Sequence, residues 1–85
     1  MTRLVAESEL IQISEKNERP DAFDWRGERH HIVEANKRWR IDVGWWDPAI
    51  STWRDYFEVL TDTGYLCVIY HDLPDGEWFL TRLYD

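Results

Sequence analysis

The sequence is poor in the residues that usually brace a small protein from outside its core. It has one cysteine, Cys67, so no disulfide can form within the chain. A lone thiol also fits a reducing compartment better than a secreted setting. Glycine and proline number four and three, scattered among the turns, which excludes low-complexity linkers and any Gly-rich phosphate loop. No apolar run approaches the ~20 residues needed to span a bilayer. The opening "MTRLVAESEL" is too polar for a secretory signal. The cytoplasm is the expected location, with no membrane partner. Cations are the minority, 10 against 17 acids, for a net charge of −7. That balance favours solubility and disfavours non-specific binding to a phosphate backbone, while leaving room for a local basic face.

Aromatic rings are abundant. Eighty-five residues carry six Trp, four Tyr and three Phe. A chain of this length makes one domain, 1–85, with residues 1–8 a candidate flexible lead. Such a domain buries only a little over ~60% of its unfolded surface. Large side chains, at roughly 150–250 Å² buried per ring, can compensate for the missing staples.

Turn signals divide the chain: "ERPD" at 18–21, "RG" at 26–27, "DTG" at 62–64 and "LPDG" at 73–76. Short apolar runs lie between them, a spacing of hairpins rather than helices. "DYFEVLTD" alternates, with Phe57, Val59 and Thr61 on one face and Tyr56, Glu58 and Leu60 on the other. "YLCVIYHDL" is apolar on both faces and predicts a central strand. In "EWFLTRLYD", Trp78, Leu80 and Tyr84 share one face, and Phe79, Thr81 and Leu83 the other. Upstream, "LIQIS", "AFDWRG" and "ERHHIVEA" read as further strands, the last two joined by a two-residue turn at Arg26–Gly27 or one shifted by a residue. "NKRWRID" prolongs the third past a bulge. "DPAISTWRD" reads as a loop with at most one short helical turn. The expected fold is all-β: a small, strongly curled antiparallel sheet or partly open barrel of about six strands.

Chemistry-bearing motifs are sparse. Seventeen acids lie in no recognisable catalytic pattern, and solvated faces explain them. His30 and His31 are neighbours on a strand and point to opposite faces, so they are poor co-ligands for one metal. Cys67 and His71 share a face but sit roughly 13 Å apart along it. Cys67 lies mid-strand in apolar company, which makes a thiol inert. The expectation is a non-enzyme without metal or cofactor.

The remaining candidate is "RWRIDVGWWDPAISTWRDYF", residues 38–57, with four of the six tryptophans and three arginines. Trp, Tyr and Arg dominate protein-interface hot spots, and aromatics beside arginine also suit stacking of unpaired bases. Core packing with snorkelling arginines explains the same residues. In "GWW" neighbouring side chains face opposite ways, so one of Trp45 and Trp46 should leave the core. The candidate contact surface is Arg26, Trp39, Arg40, Trp45, Trp46 and Trp53.

"RPDAFDWRGERHHIVEANKRW", then "WW", then "DYFEVLTDTGYLCVIYHDLPDGEWFLTRLYD" resembles a small uncharacterised bacterial domain family. "FDWRG" and "GEWFLTRLYD" carry the resemblance most specifically. Members of that family stand alone or are fused to the C-terminal end of ImuB-type proteins, inactive relatives of Y-family DNA polymerases that assist translesion synthesis. The resemblance implies association with a DNA-repair or translesion assembly and assigns no catalytic residue. With the acidic charge, the expected function is a non-catalytic interaction module with a protein partner. The alternative is a single-stranded nucleic-acid binder using the same Arg/Trp surface. Both a monomer and an edge-paired homodimer fit the residues.

Overall fold

A computed structural model describes residues 2–17, 19–44 and 52–84 of the chain. It is a barrel of six antiparallel strands: β1 (Thr2–Lys16), β2 (Arg19–Trp25), β3 (Glu28–Val43), β4 (Thr52–Thr61), β5 (Leu66–Asp72) and β6 (Glu77–Tyr84). Each strand pairs with its sequence neighbour, and β1 pairs with β6 to close the sheet. The described residues contain no helix, hence none long and apolar enough to cross a membrane. The helical turn expected within 47–55 falls mostly outside the described residues; from Thr52 onward the chain is already strand.

Turn chemistry sets the hairpins. Trp25 pairs with Glu28 across Arg26 and Gly27, whose φ angles are 50° and 79°. Two positive φ values make the two-residue turn whose twist matches a hairpin. Gly27 adopts its angle freely, whereas Arg26 carries a small steric cost there.

The inner face holds Ile11, Phe23, Phe57, Val59, Cys67, Ile69, Trp78, Leu80 and Leu83 in one cluster. Val59, Ile69 and Leu80 have no exposed surface, and each such burial contributes ~1.5–3 kcal/mol. β4 follows the predicted alternation, with Phe57, Val59 and Thr61 buried, and β5 is buried on both faces from Cys67 to Tyr70.

Bulges explain where the alternation read from sequence departs from the structure. Ile69 pairs with Leu80 but Val68 pairs with Arg82, so Thr81 is an extra residue. The face therefore switches after Leu80. Leu83, not Tyr84, joins Trp78 and Leu80 in the core. In β3, Val33 and Asn36 are extra residues opposite β4, and the second restores the face lost at the first. β1 also begins earlier than the apolar pattern suggests, at Thr2 rather than Leu10.

One ladder is short. β2 holds β3 only from Glu28 to His31; beyond that, β3 runs with β4 as far as Val43 opposite Thr52. The two strands part at a groove of about 290 Å³ between Arg19 and Pro20 on one side and residues 35–38 on the other.

Candidate functional site

The register across β3, β4, β5, β6 and β1 builds a single row on the outer face of the barrel. Trp39 pairs with Tyr56, Tyr56 with Tyr70, Tyr70 with Phe79, and Phe79 with Leu10. Strand pairing alone puts these five side chains side by side, because directly opposite residues share a face. Trp39 stacks on Tyr56 with centroids 5.4 Å apart and planes within 8°. Tyr56 meets Tyr70 at 5.1 Å, and Tyr70 stacks on Phe79 at 5.1 Å. Rings lying flat and side by side need roughly 6 Å or more for their edges to clear. Trp39 with Tyr56 and Tyr70 with Phe79 therefore form offset stacks, while Tyr56 is tilted against Tyr70 by 36°.

Arg54 closes the row from above. Its guanidinium carbon is 4.6 Å from the Tyr70 ring centre, and its Nη1 donates to the Tyr56 hydroxyl at 3.4 Å. Tyr70 is thereby buried to 5% exposure, while Leu10 at 55% and Trp39 at 38% leave the two ends of the row open.

The opposite face of the same strands carries a second, charged row. Arg40 pairs with Asp55, Asp55 with His71, and His71 with Trp78. Arg40 donates to Asp55 from Nε at 2.7 Å and from Nη2 at 3.1 Å, and Arg38 Nη2 donates to it at 3.2 Å. These guanidinium hydrogen bonds, Arg40's above all, hold the Asp55 carboxyl below its usual range against the opposing effect of burial. His71 lies flat on Trp78, centroids 4.4 Å apart. Trp53, half exposed, lies 5.8 Å beneath the Arg40 guanidinium.

The residues singled out from sequence thus divide. Trp39 belongs to the outer row, whereas Arg40 and Trp53 lie on the other face. Arg26 sits in the β2–β3 turn, up to roughly 35 Å from Trp39 along β3. Its guanidinium is already engaged, donating to Glu9 at 2.7 and 3.2 Å and stacking over Trp25 at 4.8 Å. Trp25 Nε1 donates to Glu9 as well. Trp45 and Trp46 lie outside the described residues. Sequence reasoning reached Tyr56 and Arg54 as part of the aromatic stretch but missed Tyr70, Phe79 and Leu10. Their signal was the register, which fixes who stands opposite whom: the hairpin at 73–76 sets Tyr70 against Phe79, and only closure of the barrel brings Leu10 beside them.

The other reactive groups are buried or dispersed. Burial pushes the Cys67 thiol up to about 12, so it stays protonated at ordinary pH. His30 is 1% exposed, packed between Phe23, Trp25 and Tyr65. Its Nδ1 shares a hydrogen bond with Thr63 Oγ1 at 2.7 Å, and its Nε2 has no hydrogen-bond partner among the described residues. His31 is exposed on the opposite face. No group of three potential metal ligands occurs among the described residues.

No curated protein and no solved structure matches the chain significantly. The family model of DUF6504, a domain of unknown function, matches residues 3–85, and the chain belongs to that family.

Proposed function

We propose that this domain is a non-catalytic docking module that meets a protein partner through the outer row Leu10, Phe79, Tyr70, Tyr56 and Trp39. The observation that carries this reading is the way the rings are arranged. Stacking takes up ring faces along the row, Arg54 covers Tyr70 at its centre, and the apolar surface left for a partner lies at the Leu10 and Trp39 ends. Rows of Trp and Tyr with an Arg in place are the material of interface hot spots. A platform for unpaired bases needs open ring faces instead. Among the described residues the exposed tryptophans are Trp39 and Trp53, which lie on opposite sides of the sheet, and the net charge of −7 opposes a nucleic-acid strand. That weighs against the single-stranded nucleic-acid reading. The resemblance to domains fused to ImuB-type proteins directs the search for the partner to a translesion-synthesis assembly in the cytoplasm.

The test compares proteins retained by the wild-type domain with those retained by Trp39→Ala, Leu10→Ser and, as an opposite-face control, Trp53→Ala. A partner lost with the first two and kept with the third supports the outer row. A partner indifferent to Trp39→Ala and Leu10→Ser removes it. Tryptophan fluorescence quenched by oligothymidylate at low salt, and restored as salt rises, would favour the nucleic-acid reading instead.

A further inference from the structure

Antiparallel barrels normally leave no strand edge free, and this one departs from that rule at β3. Beyond His31 the side of β3 that faces away from β4 has no partner strand among the described residues. An unpaired edge is a template for another chain, and proteins usually blunt it with bulges. The bulges at Val33 and Asn36 do so for the first part of the segment. From Lys37 opposite Glu58 to Val43 opposite Thr52 the ladder is regular, so residues 37–43 present an edge that no described residue covers.

The side chains along that edge are sorted by face. Outward stand Lys37, Trp39 and Ile41; inward stand Arg38, Arg40 and Asp42. Trp39 has one ring face on Tyr56 and the other toward the empty edge. Arg38 and Arg40 are 64% and 50% exposed while holding Asp55 between them. Asp55 takes three of their hydrogen bonds, and two guanidinium groups supply about ten N–H donors. The trio keeps a net positive charge, with most of its donors uncommitted among the described residues. Lys37 and Arg19 add to it at the groove. Four of this acidic chain's ten Lys and Arg residues gather here.

We infer that the edge of β3 at residues 37–43 takes an extended acidic segment of a partner protein as a seventh strand, with an apolar residue against Trp39 and acidic residues flanking it against Arg38 and Arg40. Strand addition of this kind draws affinity from main-chain hydrogen bonds and specificity from alternate side chains. The apolar residue would lengthen the stacked row by one position. The flanking carboxylates, one residue to either side, would fall on the inner face where the guanidinium groups wait. A second copy of this chain fits worse. Matching Trp39 against Trp39 in an antiparallel pair sets Arg38 across from Arg40 twice. The inference rests on the docking reading above and names its partner's chemistry.

The probe is an acetylated, amidated octapeptide containing Glu-Phe-Glu-Val-Glu, titrated into isotope-labelled domain, with a Lys-Phe-Lys-Val-Lys peptide and oligothymidylate alongside. The expected result is binding of the acidic peptide alone, with slowed amide exchange confined to residues 37–43. Arg38→Gln should weaken it about tenfold or more, and Lys37→Glu should weaken it as well. Arg38→Gln is chosen because Arg40 supplies two of the three bonds to Asp55, so the fold survives. The inference is overturned by no acidic-peptide binding up to about 1 mM, by preferential binding of the lysine peptide or oligothymidylate, or by protection of 37–43 through dimerisation without peptide. Peptide binding that perturbs Leu10 and Phe79 but not the exchange of 37–43 also overturns it, while leaving the outer row as the docking face.

Discussion

Arg40 holds Asp55 in a two-pronged grip, and the carboxylate it holds is buried to 8% of its side-chain surface while the arginine stays half exposed. The pair therefore sits at the boundary between core and solvent, where a carboxylate is costly unless its charge is answered. Asp55→Asn should lower stability by ~1–3 kcal/mol near neutral pH, measured by urea unfolding. The sign of the pH effect follows from the lowered pKa of Asp55 in the fold. Its stabilisation is complete above the unfolded carboxylate value of ~3.9 and fades as pH falls through the lower folded value. The gap between wild type and Asp55→Asn should hence narrow on acidification below about pH 4. A gap that stays constant to pH 2 would show that the charge of Asp55 contributes nothing.

His30 supports a prediction about shape against polarity. It fills core space beside Phe23 and Trp25 with one ring nitrogen unanswered. His30→Ala should open a cavity and cost about 2–4 kcal/mol. His30→Phe refills the space and removes the orphaned nitrogen, and Thr63 is exposed enough to find water. That variant should fall within about 1 kcal/mol of wild type. Equal losses for both substitutions in thermal unfolding would mean that the Nδ1–Thr63 bond, not the volume, is what matters.

Cys67 lends itself to a kinetic measurement. With its thiol pushed up to about 12 and 2% exposed, it should resist a thiol-reactive dye at pH 8 in the folded domain. Labelling should proceed at full speed in denaturant. The folded-state rate then reports the opening of the barrel. Rapid labelling without denaturant would contradict the burial.

Leu80 is the most economical site at which to break the fold. It has no exposed surface and lies opposite Ile69 at the centre of the cluster. Leu80→Ala should cost about 2–5 kcal/mol, a large part of what so small a domain has to lose. Circular dichroism melting should show it as a fall in Tm many times larger than for Trp53→Ala.

What could be read from the residues was the local part of the fold. Phe57, Val59 and Thr61 alternate in the sequence and in the barrel, and Arg26–Gly27 turns where its composition says a hairpin should. Closure was not legible, since the pairing of Leu10 with Phe79 joins the two ends of the chain and no short window contains both. The fate of Leu83 and Tyr84 was misread because a bulge at Thr81 has no residue signature comparable to a glycine turn. The candidate surface suffered from the same blindness. Trp39 and Arg40 are adjacent in sequence and opposite in space, and a stretch rich in both Trp and Arg looks like one surface until the strand is drawn. Arg26 stands apart from Trp39 in the structure, and its pairing with Glu9 could not be read locally because Glu9 lies 17 residues upstream.

The pairing of Thr2 with Tyr84 also bears on how the molecule assembles. Four of the five hairpin ladders around the barrel, β2–β3 through β5–β6, can form while β1 is still loose, each at the small entropic cost of a short loop. The ladder between β1 and β6 spans nearly the whole chain and comes due only when everything between is in place. The first strand made is thus the one that waits longest for its second neighbour. Linking the adjacent ends with a short flexible joiner and cutting instead at residues 62–64 would turn that pairing into one more hairpin and make the β4–β5 ladder the distant one, so the same barrel should form with β5, not β1, as the strand that waits.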